Sequence, residues 1–530
     1  MKSCALRNSR PVALTGTLCL VLFLTSMVVV SQAPAVADSR WEIVTILHTN
    51  DMHGAVMPRD GAGGLARAAT LVRRIRAEMP NVILLDGGDI IHGAPEDYLS
   101  GHIATVSAMN AAGYDLAATG NHEYDFGLST LERVTHRASF PLVAANVRAA
   151  AGGDWNGVKR YVVLRAGGVR VSVLGLTTLD TIPLHWPGAI KDVRIEDPFE
   201  TAKALVPEVA SQSDVVVVLS HLGAQQDRLL AKQVPGIDFI VGGHSHTAIG
   251  EWEWIGNTMI AQAAPYAAAL GRIDFIVRKG EGRGEIWSIN GRDKKWNDLA
   301  HPPLGKTYPD APLLPVGNDL PEDEDVRRAY MPYRTAADAR LSEVIAQADV
   351  AVPGRPAGAD ESPAGNLVAD AVRSFARSDV AVIDANGLAD RGIAAGPVIV
   401  RSLFDLVGGY TRQEIVVGRV AGKDIVAALN AGFARKKAIN AAVSGASVEY
   451  ELSDGVPAVA SLLINGKPAD PEKEYTVAAQ AYVMMSMMEA TPNVSIVSEP
   501  AETTREVLVD YIRNLRTAVP PDASRIRRKE

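Results

Sequence analysis

The 530-residue sequence predicts an α/β protein with two domains, and three observations support this fold class. The chain is longer than one hydrophobic core usually serves. Between Trp41 and Lys279, apolar runs of strand length alternate with stretches of helical periodicity. A proline-rich stretch at 301–324 interrupts this alternation, which then resumes. The composition, with 47% hydrophobic and 22% charged residues, is typical of globular proteins.

The first 37 residues predict a secretory signal peptide. They contain a basic start, an apolar core from Leu18 to Val30 and the small-residue cleavage site Ala35-Val36-Ala37. We therefore expect an exported protein, periplasmic or secreted, that begins near Asp38 and keeps no stable membrane anchor; an uncleaved anchor helix is the alternative. Both cysteines, Cys4 and Cys19, lie in this segment, so the mature chain cannot use a thiol or a disulfide.

The charge of the chain excludes one class of partner. The formal net charge is −8 and there is no basic tract, so we expect no nucleic-acid partner. The oligomeric state stays open.

The first predicted domain covers residues 41–279. A helical apolar stripe from Leu65 to Met79 ends before Pro80. Valine-rich runs at 171–176 and 215–219 have the length of strands, and their largely apolar character predicts burial on both faces.

The remainder of the chain divides into a linker, a second domain and a tail. Residues 280–348 contain the proline-rich linker and a connecting helix predicted from Asp325 to Gln347. Residues 349–518 form the second domain, in which helical stripes and strand-length runs recur. Residues 519–530 are mostly polar, and we expect this tail to be frayed.

Five short motifs, each just after an apolar run of the first domain, indicate the chemistry. They are Asp51-Met52-His53-Gly54, Gly88-Asp89, Gly120-Asn121-His122-Glu123, His221 in Ser-His-Leu-Gly, and Gly243-His244-Ser245-His246. The carboxyl ends of parallel strands are where ligands bind in layered α/β folds, so these side chains can converge. A Gly-Asp or Gly-Asn-His-Glu motif alone is usually just a turn, but five in this order predict one site.

The side chains of these motifs are carboxylate, imidazole and amide groups, which are ligands of divalent metals. We expect two divalent ions, zinc, manganese or a similar metal, to be held by Asp51, His53, Asp89, Asn121, His221, His244 and His246. Asp89 can bridge both ions, because a carboxylate has enough lone pairs for two. Such a pair of ions makes hydroxide available at neutral pH and binds the oxygens of a phosphate.

His122 is predicted to have a different role. Asp125 lies three residues on, and a histidine held by a carboxylate keeps one tautomer and gains proton affinity. We expect His122 to stabilise the transition state or protonate the leaving alkoxide, with Asp125 as its orienting partner. The histidines outside this set are interpreted as structural, although two of them are near ligands in sequence: His48, His92, His102, His136, His185 and His301.

These motifs carry a family resemblance. The first domain resembles the calcineurin-like metallophosphoesterases, in detail the exported 5′-nucleotidase and UDP-sugar hydrolase family, whose pattern also includes Gly113-Tyr114-Asp115, Ala145-Asn146-Val147 and Leu270-Gly271-Arg272. The resemblance implies a layered α/β/β/α first domain followed by a second α/β (α+β) 5′-nucleotidase-type domain. It also implies one metal on Asp51, His53, Asp89 and His246, and another on Asp89, Asn121, His221 and His244.

The second domain resembles the C-terminal domain of that family less closely. Asn386 and Arg391 keep the spacing of the family's Asn-Gly-Gly-Gly-Ile-Arg loop, so the resemblance implies that they contact the substrate. An aromatic near the family's Leu-Pro-Phe position survives only as Tyr410, the third predicted substrate contact. The family's second base-stacking motif, Gly-Gly-Asp-Gly-Phe/Tyr, is missing, and Met484 to Met488 occupies its place, where we expect core packing.

The resemblance implies hydrolysis of nucleoside 5′-monophosphates, so the expected partner is a small-molecule phosphate ester, in the first place a nucleotide. The missing stacking motif favours a second hypothesis, the same chemistry on UDP-sugars, 2′,3′-cyclic nucleotides or other phosphate esters. A third hypothesis is a non-catalytic exported binding protein. The complete ligand set argues against it, because buried carboxylates and imidazoles kept together without metal are costly.

Overall fold

The computed structural model describes residues 41–58, 61, 63–155, 157–279, 282–290, 292, 311–354, 360–388, 392–407, 414–491, 493–499, 502–521 and 525–529. The predicted signal peptide, residues 293–310 of the predicted linker, Arg391 and Tyr410 lie outside the described residues. Within them, no helix is both long and apolar enough to cross a bilayer.

The first domain contains sixteen strands and seven α-helices among the described residues. The strands are β1 (Trp41–Thr49), β2 (Val82–Asp86), β3 (Leu116–Ala118), β4 (Leu142–Val143), β5 (Val147–Ala149), β6 (Val158–Lys159), β7 (Tyr161–Ala166), β8 (Val169–Thr177), β9 (Val193–Ile195), β10 (Val215–His221), β11 (Phe239–Gly242), β12 (Glu253–Ile255), β13 (Thr258–Ala261), β14 (Ala269–Arg278), β15 (Glu285–Ile289) and β16 (Leu313–Pro315). The helices are α1 (Leu65–Glu78), α2 (Pro95–Leu99), α3 (Ala104–Ala112), α4 (Leu128–Arg137), α5 (Thr181–Leu184), α6 (Pro198–Gln212) and α7 (Ala224–Gln233), with short 3-10 turns at His122–Tyr124 and Pro187–Ala189.

Two sheets pack face to face in this domain. One has the order β15-β14-β1-β2-β3-β4-β6 with β16 beside β14, and the other has the order β12-β13-β11-β10-β8-β7. Alternate side chains of β1 show the layering, because Val44 and Ile46 join the core between the sheets whereas Ile43 and Leu47 join the core under α1 and α3. A further core lies between the second sheet and α6 and α7. The predicted α/β/β/α layering is confirmed.

Parallel strands lie at the centre of both sheets. Strands β1, β2 and β3 run parallel in the first sheet, and β8, β10 and β11 run parallel in the second. The five predicted motifs occur at or shortly after the last residues of β1, β2, β3, β10 and β11. The fold therefore delivers all five to the carboxyl ends of parallel strands.

The stretch between the two domains contains regular elements that the linker prediction did not include. β15 and β16 pair antiparallel with β14, so they extend the first sheet. Helix α8 (Glu324–Leu341) follows an Asp323 cap and is shorter than the predicted helix, because the chain enters β17 soon after it. Tyr330 of α8 belongs to the first-domain core and Leu341 to the second-domain core. The helix therefore connects the two cores.

The second domain contains eleven strands and five further α-helices among the described residues. The strands are β17 (Val344–Ala348), β18 (Val380–Asp384), β19 (Gly396–Ile399), β20 (Ile415–Ala421), β21 (Ala441–Ser444), β22 (Ala446–Ser453), β23 (Val456–Ile464), β24 (Lys467–Pro468), β25 (Glu474–Gln480), β26 (Ser495–Ser498) and β27 (Ile526–Arg528). The helices are α9 (Pro363–Ala376), α10 (Val400–Leu406), α11 (Gly422–Lys436), α12 (Ala481–Ala490) and α13 (Thr504–Leu515), with a 3-10 turn at Ala385–Gly387.

A mixed sheet of order β21-β18-β25-β20-β26 forms the centre of this domain. Ile383 of β18 belongs to the core that includes residues of α9 and α13, and Val382 belongs to the core that includes residues of α11 and α12. Helices therefore cover both faces of the sheet, and the predicted second α/β (α+β) domain is confirmed.

The tail contains a strand where fraying was expected. β27 pairs parallel with β22, and Ile526 is buried. Arg525 donates to both carboxylate oxygens of Asp370, at 2.8 and 2.9 Å. The polar character of this segment reflects partners inside the protein, which its composition alone did not indicate.

Candidate metal centre and active site

Backbone strain marks the predicted ligands. Asp51, His53, Asp89, His244 and His246 all have positive φ, between 47° and 74°. Residues other than glycine rarely adopt this conformation, and it persists where the surrounding structure enforces it, often at functional sites. The chain accepts this cost at five of the seven predicted ligands.

The predicted ligands form two groups. In the first, Nε2 of His246 lies 2.9 Å from Nε2 of His53 and 3.7 Å from Oδ1 of Asp51. In the second, His221, His244 and Asp89 have ligand atoms within 4.8 Å of one another, and Oδ1 of Asn121 lies 2.9 Å from Nδ1 of His244. The structure brings all seven predicted ligands together: Asp51, His53, Asp89, Asn121, His221, His244 and His246.

Asp89 lies between the two groups. Its Oδ2 is 3.1 Å from Nε2 of His221 in one group and 4.0 Å from Nε2 of His53 in the other. A carboxylate in this position can contribute to both metal positions, as its sequence motif suggested.

The donor atoms fit divalent cations that accept nitrogen and oxygen ligands. His221 is fully buried, and the nearest polar atom to its Nε2 among the described residues is Oδ2 of Asp89 at 3.1 Å, which does not meet the geometry of a hydrogen bond. Its Nδ1 donates to the carbonyl oxygen of Gly87 at 2.7 Å, so Nε2 is the nitrogen left to bind a metal. A cation bound between this buried nitrogen and the Asp89 carboxylate would satisfy both groups.

Glu123 links two of the loops that carry predicted ligands through hydrogen bonds. Its buried carboxylate accepts hydrogen bonds from the backbone N–H groups of Asp89 at 2.9 Å and Gly120 at 2.6 Å. Gly120 allows the close approach, since a Cβ there would lie 2.1 Å from Oδ1 of Asp89. The sequence contained Glu123 in a motif but did not reveal this role.

His122 and Asp125 form the predicted pair. Nδ1 of His122 donates to Oδ2 of Asp125 at 2.6 Å, and Nε2 of His122 lies 4.0 Å from Oδ2 of Asp89. Burial acts to lower the pKa of His122, but the charge of Asp89 and the hydrogen bond to Asp125 outweigh it and raise that pKa to about 9. Bound cations oppose this rise, because their positive charge disfavours the imidazolium.

His92 lies inside the site, where the sequence had favoured a structural role. Its ring stacks on that of His122, with centroids 4.1 Å apart and planes at 2°. Its Nδ1 is 3.4 Å from Nδ1 of His53. Burial, with the nearby charge of His122, lowers the pKa of His92 to about 4. His92 therefore lines the site as an uncharged imidazole. The sequence feature that could have indicated this location is the position of His92 three residues after the predicted ligand Asp89.

Two residues after β8 also reach the site without any sequence motif. Nε2 of His185 lies 2.8 Å from Oδ1 of Asp125, and Oδ2 of Asp180 lies 3.3 Å from Nε2 of His244. His48, by contrast, is a core residue, and it packs so closely over Gly271 that a Cβ there would lie 2.0 Å from its Nε2.

The described part of the second domain includes only one of the three residues predicted to contact the substrate. Asn386 is exposed in the 3-10 turn after β18. Met484 and Met487 of α12 are buried in the core, as expected for core packing. Helices α11 and α12 also line a cavity of about 270 Å³, whose polar residues include Asp384, Asn440 and Tyr482.

Comparison with known proteins decides the family. Residues 44–248 match the family model described as calcineurin-like phosphoesterase, and residues 344–490 match the model described as 5′-nucleotidase, C-terminal domain. The chain belongs to the 5′-nucleotidase family of metallophosphoesterases. This metallophosphoesterase is a metal-dependent phosphoric ester hydrolase, and the family implies divalent metal ions at its centre.

Relatives of this metallophosphoesterase match it over most of its length. A 5′-nucleotidase of Vibrio vulnificus is 27% identical over 487 residues, which cover 84% of this chain and 85% of the relative. The trifunctional nucleotide phosphoesterase YfkN of Bacillus subtilis is 28% identical over 74% of this chain, but the chain spans only 28% of that protein. The crystal structure of a 5′-nucleotidase precursor from Thermus thermophilus shares 25% identity and a TM-score of 0.63, covering 92% of this chain and 99% of its own.

Proposed function

We propose that this enzyme is exported and hydrolyses nucleoside 5′-monophosphates to nucleoside and phosphate. The observation that supports this most is the position of Asp89, with a group of metal ligands on either side and Nε2 of His122 at 4.0 Å. Export rests on the basic, apolar and small-residue pattern of residues 1–37.

The roles of the residues follow from their contacts. Two divalent ions on the predicted ligands would supply an acidified water as nucleophile and positive charge for the phosphate oxygens. Asp125 holds the Nδ1 hydrogen of His122, which leaves Nε2 to donate to the leaving oxygen or to a charged phosphate oxygen. Asn386, Arg391 and Tyr410 would contact the nucleoside.

A second candidate keeps the chemistry but changes the ester: UDP-sugars, 2′,3′-cyclic nucleotides or other phosphate esters. The burial of Met484 and Met487 favours it, because helix α12 replaces the expected base-stacking motif with side chains that face the core.

The test is chromatographic analysis of the products that the mature chain, loaded with Mn²⁺ or Zn²⁺, forms from AMP, UMP, UDP-glucose, 2′,3′-cyclic AMP and p-nitrophenyl phosphate. Product analysis is needed because UDP-glucose would give UMP and glucose 1-phosphate, and the cyclic nucleotide would give a nucleoside monophosphate, rather than free phosphate. We expect the highest kcat/KM on AMP or UMP. Similar kcat/KM for p-nitrophenyl phosphate and AMP would support the second candidate instead. Hydrolysis of none of the five substrates by metal-loaded protein would contradict both.

A further inference from the structure

His185 holds the oxygen of Asp125 that His122 does not use. Nε2 of His185 donates to Oδ1 of Asp125 at 2.8 Å, while Nδ1 of His122 donates to Oδ2 at 2.6 Å. Nδ1 of His185 in turn donates to the carbonyl oxygen of Thr181 at 2.6 Å. Both ring nitrogens of His185 have an oxygen partner, so the ring cannot rotate without losing a bond.

The next residue, Trp186, belongs to the other domain's core. It is 5% exposed and lies in a buried cluster whose other fully buried members, among the described residues, all come from the second domain. Its indole N–H donates to Oε2 of Glu499 at 2.5 Å. Two consecutive residues therefore join the catalytic pair of the first domain to the packing of the second.

We propose that His185 is a positioning residue for the Asp125–His122 pair, and that Trp186 makes the position of His185 depend on its contact with the second domain. The inference rests on the proposed role of His122. Without the Nε2 bond, the Asp125 carboxylate is held by His122 alone and can turn about its terminal torsion, so the orientation of His122 is less fixed. The substrate still binds, but the proton donor is misplaced when the ester bond breaks.

Matched substitutions separate the two bonds of His185. His185→Asn keeps an N–H near the Nδ1 position and loses the donor to Asp125, whereas His185→Gln keeps an N–H near the Nε2 position. We expect His185→Asn to lower kcat about 10–100-fold, as for other residues that orient a functional side chain, with KM within about twofold. We expect His185→Gln to recover most of the kcat.

The measurements are kcat and KM on AMP and p-nitrophenyl phosphate, with metal content and urea unfolding midpoint recorded for each variant. Equal kcat for the Asn and Gln variants would overturn the positioning role, because a purely structural residue does not distinguish the two nitrogens. His122→Ala is measured alongside. An undiminished kcat there removes the proposed role of His122 itself, whereas a loss there with normal kcat in His185→Asn removes this inference alone.

A double-mutant cycle tests the role of Trp186. Trp186→Phe keeps most of the buried ring but removes the indole N–H. Glu499→Ala removes the acceptor of that bond, and because Glu499 is exposed, this variant should disturb folding less than Trp186→Phe. We expect each to lower kcat, and each to have no further effect when combined with His185→Asn. If the kcat reductions of the single variants multiply in the double variants, or if the single variants have normal kcat, the proposed coupling to the second domain is wrong.

Discussion

The two domains hold their functional residues in different ways. In the first domain, the ligand-bearing loops are buried, strained and bonded to one another, as Glu123 shows by accepting backbone N–H groups from the loops of Asp89 and Gly120. In the second domain, Asn386 is exposed on a short turn after β18. Metal chemistry needs ligand atoms fixed to within fractions of an ångström, and only the first arrangement provides this.

This difference indicates in which domain a substitution would affect fewer of the predicted functional residues. A substitution in the first domain alters several ligand positions at once, since the loops share hydrogen bonds. On the proposed function, a substitution at Asn386 in the second domain would alter one contact with the leaving group, and such a contact contributes about 1 kcal/mol. On the proposed function, a single substitution would therefore change the choice of ester more easily than the metal chemistry.

The largest effect is expected at Asp89, the residue shared by both ligand groups. Asp89→Ala removes a ligand from both metal positions, so we expect loss of bound metal and phosphate release at the rate of the uncatalysed control. Metal analysis by mass spectrometry and phosphate release check this. Asp154→Asn, an exposed carboxylate paired with Arg148, is the control and keeps both properties. Full metal content in Asp89→Ala would show that the shared site is wrongly assigned.

The next effect is expected at His122. His122→Ala removes the proton donor but no metal ligand, so kcat falls about 10²–10⁴-fold while metal content stays that of the wild type. Steady-state kinetics on AMP provide the measurement, and His136→Ala, on the exposed surface of α4, is the matched control. A parallel loss of metal would mean that His122 belongs to the ligand set instead.

The sequence predicted that the candidate ligands of the first domain would lie together, because they sit in short motifs at strand ends, while their roles stay predictions. Asp51, His53 and Asp89 could be assigned from the carboxylate and imidazole pattern alone, and β1, β2 and β10 from their apolar runs. The same pattern predicted the separation into two domains with their own helices and sheets.

The residues that were missed act through tertiary contacts. His185 reaches Asp125 from a segment 60 positions away, and nothing in its local sequence indicates that approach. β27 pairs with β22 in a polar tail, and the adjacent Arg525 donates to the partly buried Asp370, 155 positions away. Burial of such groups depends on partners that are distant in sequence, which periodicity does not encode.

A third prediction tests whether helix α12 serves packing. Met484 is fully buried, whereas Met488 of the same helix is 37% exposed. Met484→Ala leaves a cavity, so we expect the free energy of unfolding to fall by about 2–5 kcal/mol, against about 0.5 kcal/mol or less for Met488→Ala. Urea denaturation of both variants measures the difference. A larger effect of Met488→Ala on the KM for AMP than on stability would instead place α12 in the substrate site.

The smallest effect is expected at Asn386. Asn386→Ala removes one neutral hydrogen-bonding group from the proposed nucleoside contact, so KM for AMP should rise about 2–10-fold, which corresponds to about 0.5–1.5 kcal/mol. KM for p-nitrophenyl phosphate should not change, because that ester has no nucleoside. Asn514→Ala, an exposed residue of α13, is the control. Equal changes in KM for both esters would mean that Asn386 acts on the phosphate or on the fold. Asn386 would then not be a leaving-group contact, and the proposed difference between the fixed metal site and a variable nucleoside contact would be wrong at this residue.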